Sequence, residues 1–177
     1  MVDFTTSKFV RLDKIDFKKI KTQNEYSLKY VDKSNYKNYS EELSCVSECI
    51  KRTLSSWDID LTPNQIIKRF NSNSHCLLFY YRNKCIGWNW GNTSVKFDWI
   101  NEIKKLPEGF IYFGGCFVCK NSTPPDAGLM NFNLIFDHWL NQKNFETIVG
   151  HVYDWNKASI RVCLQNNPKI YDWFSDY

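Results

Sequence analysis

Histidine is the side chain whose ordinary proton equilibrium lies near neutrality, and this 177-residue sequence has three of them, His75, His138 and His151. His151 lies near the end of the short apolar run ETIVGHVY, ahead of Asp154, and is the best placed to act as a general base. The alternative is a histidine satisfied by a backbone carbonyl. His138 falls inside a helical pattern and His75 at the head of a strand, so both rank lower. No Ser-His-Asp or Cys-His arrangement follows from spacing alone. The seven cysteines are odd in number and lie largely within strands and helices. Reduced, buried thiols in a cytoplasmic protein account for them. Cys116 and Cys119 have C-x-x-C spacing, but in a strand positions three apart face opposite sides. With no second such pair, no zinc site and no metal are expected.

A second chemistry-bearing stretch is VCKNSTPPDAGLMNF, residues 118 to 132, where an apolar strand runs into an amphipathic helix. Such a junction can aim backbone N–H groups at a phosphate. This one carries two prolines, an acid and a single glycine. Thr123 as N-cap, Pro124 and Pro125 in the first turn and Asp126 against the helix dipole also make an ordinary helix start. Both readings stand at this point.

These residues need a scaffold, and the composition allows one domain: 43% hydrophobic and 17% aromatic residues can fill a core. A net charge of +4, with lysines scattered among acids, is too small to establish a nucleic-acid or membrane partner. No apolar run approaches membrane-spanning length, and the polar start does not read as a secretory signal.

The elements follow from periodicity and turn residues. Lys8 to Leu12 reads as a short strand, followed by a basic segment whose structure the pattern leaves open. Tyr26 to Val31 alternates as a strand. Leu43, Val46, Ile50 and Leu54 share one helical face, and Thr62-Pro63 opens a second helix. The run HCLLFYYRNKCIGWNW is a hairpin turning at residues 82–84. After a polar, amphipathic stretch (Phe97 to Leu106), GFIYFGGCFVCK is a strand interrupted by Gly114 and Gly115, as at a bulge or a close backbone approach. Leu129, Phe132, Phe136, Trp139 and Leu140 make one apolar helical stripe. A buried strand and a last helix capped by Asn156 complete an α/β (α+β) arrangement. Its last strands, joined through a helix, should be parallel neighbours.

With this element order, the paired glycines and DWNKASIRVC after the last long strand, the chain resembles the GCN5-related N-acetyltransferase (GNAT) superfamily. The resemblance covers residues 24–177, with 1–23 as an N-terminal extension carrying one strand. It implies a mixed, mostly antiparallel sheet with a splayed parallel strand pair, flanked by helices. It also implies acetyl-CoA as cosubstrate and a small-molecule primary amine, with an amino sugar as the particular acceptor. Backbone groups of Phe117, Val118 and Cys119 would hold the donor arm, and Ala127, Gly128 and Leu129 its pyrophosphate. Asn156 and Ser159 would make further contacts. The family's Q/R-x-x-G-x-G/A pattern reads Thr123-Pro124-Pro125-Asp126-Ala127-Gly128 here, so only Gly128 survives. The family's acidic tyrosine falls at Cys163, whose thiol could supply a proton or be a small buried residue. Trp57, Trp88 and Trp90 could stack on a sugar or belong to the core.

After the last helix the family adds two strands, whereas KIYDWFSDY has room for one. Either the strand at Lys8 to Leu12 or a second subunit in a homodimer fills that edge. Two rivals keep the fold: a GNAT-like binding or interaction module without catalysis, and an acyltransferase drawing on aminoacyl-tRNA, as in the Fem-like relatives. The damaged pattern favours the first, and the mild charge speaks against the second.

Overall fold

The computed structural model describes residues 7–53, 62–96, 103–119, 123–154 and 156–171. The strands are β1 (Ser7–Asp13), β2 (Tyr26–Val31), β3 (His75–Tyr81), β4 (Lys84–Asn92), β5 (Ser94–Lys96), β6 (Ile103–Lys105), β7 (Phe110–Val118), β8 (Thr147–Tyr153) and β9 (Lys169–Tyr171). The helices are α1 (Ser40–Thr53), α2 (Pro63–Asn71), α3 (Ala127–Asp137), prolonged by a π-helical turn over His138–Gln142, and α4 (Lys157–Leu164). Seven strands form one mixed sheet in the order β2-β3-β4-β7-β8-β1-β9, and β5 with β6 makes a small separate one. The β7·β8 pair is parallel, from Phe110↔Thr147 to Phe113↔Gly150, and the β1·β8, β1·β9, β2·β3 and β3·β4 pairs are antiparallel. This is the mixed, mostly antiparallel α/β (α+β) sheet with one parallel pair that the pattern implies.

Local chemistry sets several boundaries. The Thr62 hydroxyl accepts the Gln65 amide at 3.4 Å while Pro63 opens α2, so cap and N1 proline sit where the sequence puts them. The β3–β4 hairpin turns through Arg82 in left-handed backbone (φ 52°). Inside the polar stretch before Pro107, Ile103–Lys105 is a strand that pairs with Ser94–Lys96. Leu54, Trp57 and residues 97–102 lie outside the described residues. Among the described residues no helix is long and apolar enough to cross a membrane.

The chain divides into two compact units, Met1–Thr22 with Thr93–Gly114 and Gly128–Tyr177, and Gln23–Asn92 with Gly115–Ala127. In the first, β1 pairs with β8 along its whole length and with β9 on its other edge. The chain's own N-terminal strand therefore lies inside the sheet beside β8, and β9 forms its outer edge. Helix α3 buries more than the expected stripe: Met130 and Ile135 are buried, and so are the polar Asn131, Asn133, Asp137 and His138. For Asn133 and Asp137 the partner is the basic segment after β1, which runs against this polar side of the helix. Asn133 exchanges two 2.8 Å hydrogen bonds with the backbone of Ile20, and Lys19 reaches Asp137 at 2.8 Å.

The second unit packs α1 and α2 over the sheet through Leu43, Val46, Ile50, Ile66 and Phe70 against Cys76, Leu78, Trp88 and Trp90. Trp88 and Trp90 are 1% and 2% exposed, so they serve as core. Each such buried aromatic contributes roughly 1.5–3 kcal/mol relative to leaving it in water.

Candidate active site

In the second unit, β7 takes a left-handed step at Gly115 (φ +57°), the interruption that the paired glycines imply. Beyond it, strand alternation decides which backbone groups face which edge. The Phe117 carbonyl lies so close to Gly87 that a Cβ there would stand 2.3 Å from the oxygen, and the Cys119 amide donates to the Ile86 carbonyl at 2.7 Å. Phe117 and Cys119 therefore face β4, and Val118 between them presents its N–H and C=O to the opposite edge. Of the three residues expected to hold a donor arm, Val118 alone turns its backbone to that edge. Phe117 also packs its ring on the core, and burial raises the Cys119 thiol far above its usual range.

The helix at the end of the stretch 118–132 starts later than expected. Residues 125 and 126 form a turn in which the Ala127 amide reaches the Pro124 carbonyl at 3.1 Å, and α3 begins at Ala127. Thr123 is thus too far ahead of Ala127 to cap the helix: Pro125 disfavours helical backbone at Pro124, which the expected start would make the first helical residue. Asp126 is committed to side chains of its own unit: Tyr26 donates to Oδ1 at 2.7 Å and Gln23 to Oδ2 at 3.1 Å. The amides of Gly128 and Leu129 belong to the first turn, whose donors lack intrahelical acceptors. A Cβ at Gly128 would meet nothing within 4 Å, so this position faces open space. A pyrophosphate placed here would meet fewer backbone donors than the family pattern supplies, since Pro124 and Pro125 have none.

In the first unit, His151 projects from β8 onto Tyr112 of β7. The Tyr112 hydroxyl and His151 Nδ1 are hydrogen-bonded, and the rings stack at 5.9 Å. Burial lowers the His151 pKa, which keeps the ring neutral at pH 7. For Nε2 to accept a proton, Nδ1 must carry one and donate it to the Tyr112 oxygen. Sequence reasoning did not single out Tyr112, since only folding brings it to the histidine.

Asn156 caps α4: its Oδ1 accepts the Ser159 amide at 3.1 Å. Contact with a ligand is left to its Nδ2 and to the part-buried Ser159 side chain. Cys163 on the same helix has no exposed surface. Among the described residues no group of three or more metal-ligating side chains converges. A second group the sequence did not mark is Arg69 of α2, whose guanidinium lies over Trp90, 5.0 Å from the ring centroid.

The chain has the GNAT fold. An aminoglycoside acetyltransferase, meta-AAC0020, from an uncultured soil metagenomic sample and in complex with trehalose, superposes with a TM-score of 0.57 at 12% identity, over 88% of this chain and 95% of its own. The yncA protein of Salmonella typhimurium, solved with acetyl-CoA, gives 0.54 at 13%, over 81% and 79%. A GCN5-related N-acetyltransferase from Kribbella flavida gives 0.57 at 6%; it covers 93% of this chain, which spans only 54% of that protein. No family model matches the chain, and no curated protein matches its sequence. At these identities the likeness is one of fold.

Proposed function

We propose that this protein transfers an acetyl group from acetyl-CoA to a primary amine of a small molecule. The amine nitrogen attacks the thioester carbon, a C–N bond forms, the C–S bond breaks, the amine loses a proton and the thiolate gains one. His151 is the base that takes the amine proton through Nε2. The Val118 amide stabilises the thioester oxygen as it becomes negative. The amides of Gly128 and Leu129 hold the pyrophosphate, with Asn156 Nδ2 and Ser159 as further contacts. The complete burial of Cys163 supports a packing role for its thiol over that of the acid. The burial of Trp88 and Trp90 gives no support to sugar stacking, so an amino sugar stands as one acceptor among primary amines.

The observation that carries this reading is β7: its parallel register with β8 is described from Phe110 to Phe113, the backbone steps left-handed at Gly115, and Val118 then faces away from β4. A second reading, a binding module without catalysis, is favoured by Asp126 and the two prolines. Isothermal titration with acetyl-CoA tests both, with Gly128→Glu as control because its side chain enters open space. Micromolar binding lost in the variant, followed by CoA release with amines, supports the enzyme. Binding without turnover favours the module, and no binding up to roughly millimolar, about 4 kcal/mol, overturns both as acetyl-CoA proteins.

A further inference from the structure

The cysteines are not spread evenly through the fold. Cys45, Cys49, Cys85 and Cys119 gather in the second unit, where α1 packs over β4 and the end of β7. Cys85 lies against the core that Leu43, Val46 and Ile50 of α1 make with Trp88 and Trp90 of β4. Phe117 packs on that same core, and strand alternation puts the Cys119 side chain, two residues on, on the same side of the sheet. On α1, Cys49 stands three residues after the buried Val46 and one before the buried Ile50, with Cys45 one turn earlier on the same flank.

Two of these thiols touch: the side chains of Cys49 and Cys119 are hydrogen-bonded to each other. The influence of Cys45 and Cys85 on Cys119 is electrostatic, and the Cys85 Sγ is engaged by the Gly87 carbonyl at 3.7 Å. Access also divides the group. Cys45 is exposed, and Cys49 and Cys119 are half-buried. Burial, and after it the bond to Cys49, keeps the proton on the Cys119 sulfur. Cys119 is therefore a poor attacker of a molecule arriving from solvent, yet it is held against a sulfur that it can resolve. Among the described residues no three ligating side chains converge to hold a metal, so the chemistry open to this pair is thiol–disulfide exchange.

We propose that Cys49 and Cys119 form a reversible disulfide by exchange with a small-molecule disulfide such as glutathione disulfide, tying α1 to the end of β7. The Cys49 thiol loses its proton and its sulfur attacks one sulfur of glutathione disulfide, whose S–S bond breaks as one glutathione leaves. The Cys119 thiol then gives up its proton and attacks the Cys49 sulfur of the mixed disulfide, and the second glutathione leaves. The protein is oxidised by two electrons, glutathione disulfide is reduced to two thiols, and the two protons end on them. Because Cys119 follows Val118, the bond fixes the strand end on which the acetyl-transfer reading depends, while the disulfide itself does not depend on that reading.

The test incubates the reduced, folded full chain with glutathione disulfide, quenches in acid, alkylates free thiols with N-ethylmaleimide and maps the peptides by mass spectrometry. The expected product is a peptide pair linked through Cys49 and Cys119, which dithiothreitol separates. Cys45→Ala retains this pair. Cys119→Ser stops at the mixed disulfide, with glutathione held on Cys49, whereas Cys49→Ser leaves Cys119 reduced. Where a serine variant does not fold, alanine at the same position takes its place, and the wild-type map decides on its own. Linkage of Cys45 to Cys49 instead, glutathione retained on wild-type Cys49, or full alkylation of both thiols overturns the proposal. So does an equal yield of the same pair from chain unfolded in urea, since the fold would then not be selecting the partners among seven cysteines.

Discussion

Tyr26 donates its phenolic hydrogen to Asp126 Oδ1 across 2.7 Å, and Gln23 Nε2 holds the other oxygen of the same carboxylate at 3.1 Å. The tyrosine is 5% exposed and stacks on Phe79 with ring centroids 5.5 Å apart. Burial, and after it the bond to Asp126, hold its proton well above the usual tyrosine range. The acid that replaces a glycine of the family pattern is therefore a tie between the turn before α3 and the first residue of β2. That gives a physical reason for the departure, since a glycine there could make no such link.

Tyr26→Phe keeps the stack on Phe79 and removes one charge-assisted hydrogen bond. We expect a loss of about 1.5–3 kcal/mol in urea unfolding with the slope unchanged. A loss below about 0.5 kcal/mol would mean that solvent satisfies Asp126 equally well and that the tie is incidental.

Asp126→Asn retains an oxygen for Tyr26 and removes a negative charge from the head of α3. Where a pyrophosphate binds the amides of Gly128 and Leu129, relief of that repulsion is worth about 1 kcal/mol, or roughly fivefold tighter acetyl-CoA. Calorimetric titration at low salt and again at high salt checks it, because screening should shrink the gain. Unchanged or weaker binding would place the pyrophosphate elsewhere.

The histidines give stability a pH dependence of predictable sign. Burial lowers His151 below the ordinary value of 6.5, and His138 is lowered too, first by burial. Above 6.5 both states are neutral and the folded protein has its full stability. As the pH falls below it, the unfolded chain binds protons first, so stability is lost down to the folded-state value, by at most about 1.4 kcal/mol per pH unit and group. Urea unfolding at about pH 7.5 and about pH 5.5 should show this decline, and His151→Gln should make it shallower. A slope unaffected by the substitution would mean that His151 is not desolvated. If His151 is also the base, kcat in that variant falls by about 10²-fold or more.

How much of this was legible beforehand divides along a physical line. The Thr62-Pro63 helix start, the Arg82 turn and the glycine step in β7 depend on neighbours in sequence, and their residues announce them. So does the parallel β7·β8 pair, through the helix between its strands. The expected start of α3 is too early because Thr123 is a good cap in isolation, while the second proline disfavours helical backbone at the first. Tyr112 beside His151, Arg69 over Trp90 and the tie to Asp126 link residues far apart in sequence, where periodicity carries no signal. The segment after β1 was unreadable for the same reason: its backbone groups are satisfied by side chains more than a hundred positions away.

That segment supplies the last prediction. Asn133 has no exposed surface, and its amide both accepts from the Ile20 N–H and donates to the Ile20 carbonyl. Asn166 donates to Asn133 Oδ1 at 3.0 Å and to the Lys18 carbonyl at 3.0 Å, so one buried network pins residues 18–20 to α3. Asn133→Ala leaves the polar groups of Ile20 and the Asn166 amide without this partner, and such losses in a low-dielectric interior compound one another. We expect about 2–4 kcal/mol of destabilisation and a selective loss of hydrogen-exchange protection at the Ile20 amide. Asn133→Asp separates the contributions: the carboxylate still accepts from Ile20 and Asn166 but cannot donate to the Ile20 carbonyl, and its burial adds a desolvation cost. Full protection of Ile20 in the alanine variant would show that the segment is held by other contacts and that the polar face of α3 does not position it.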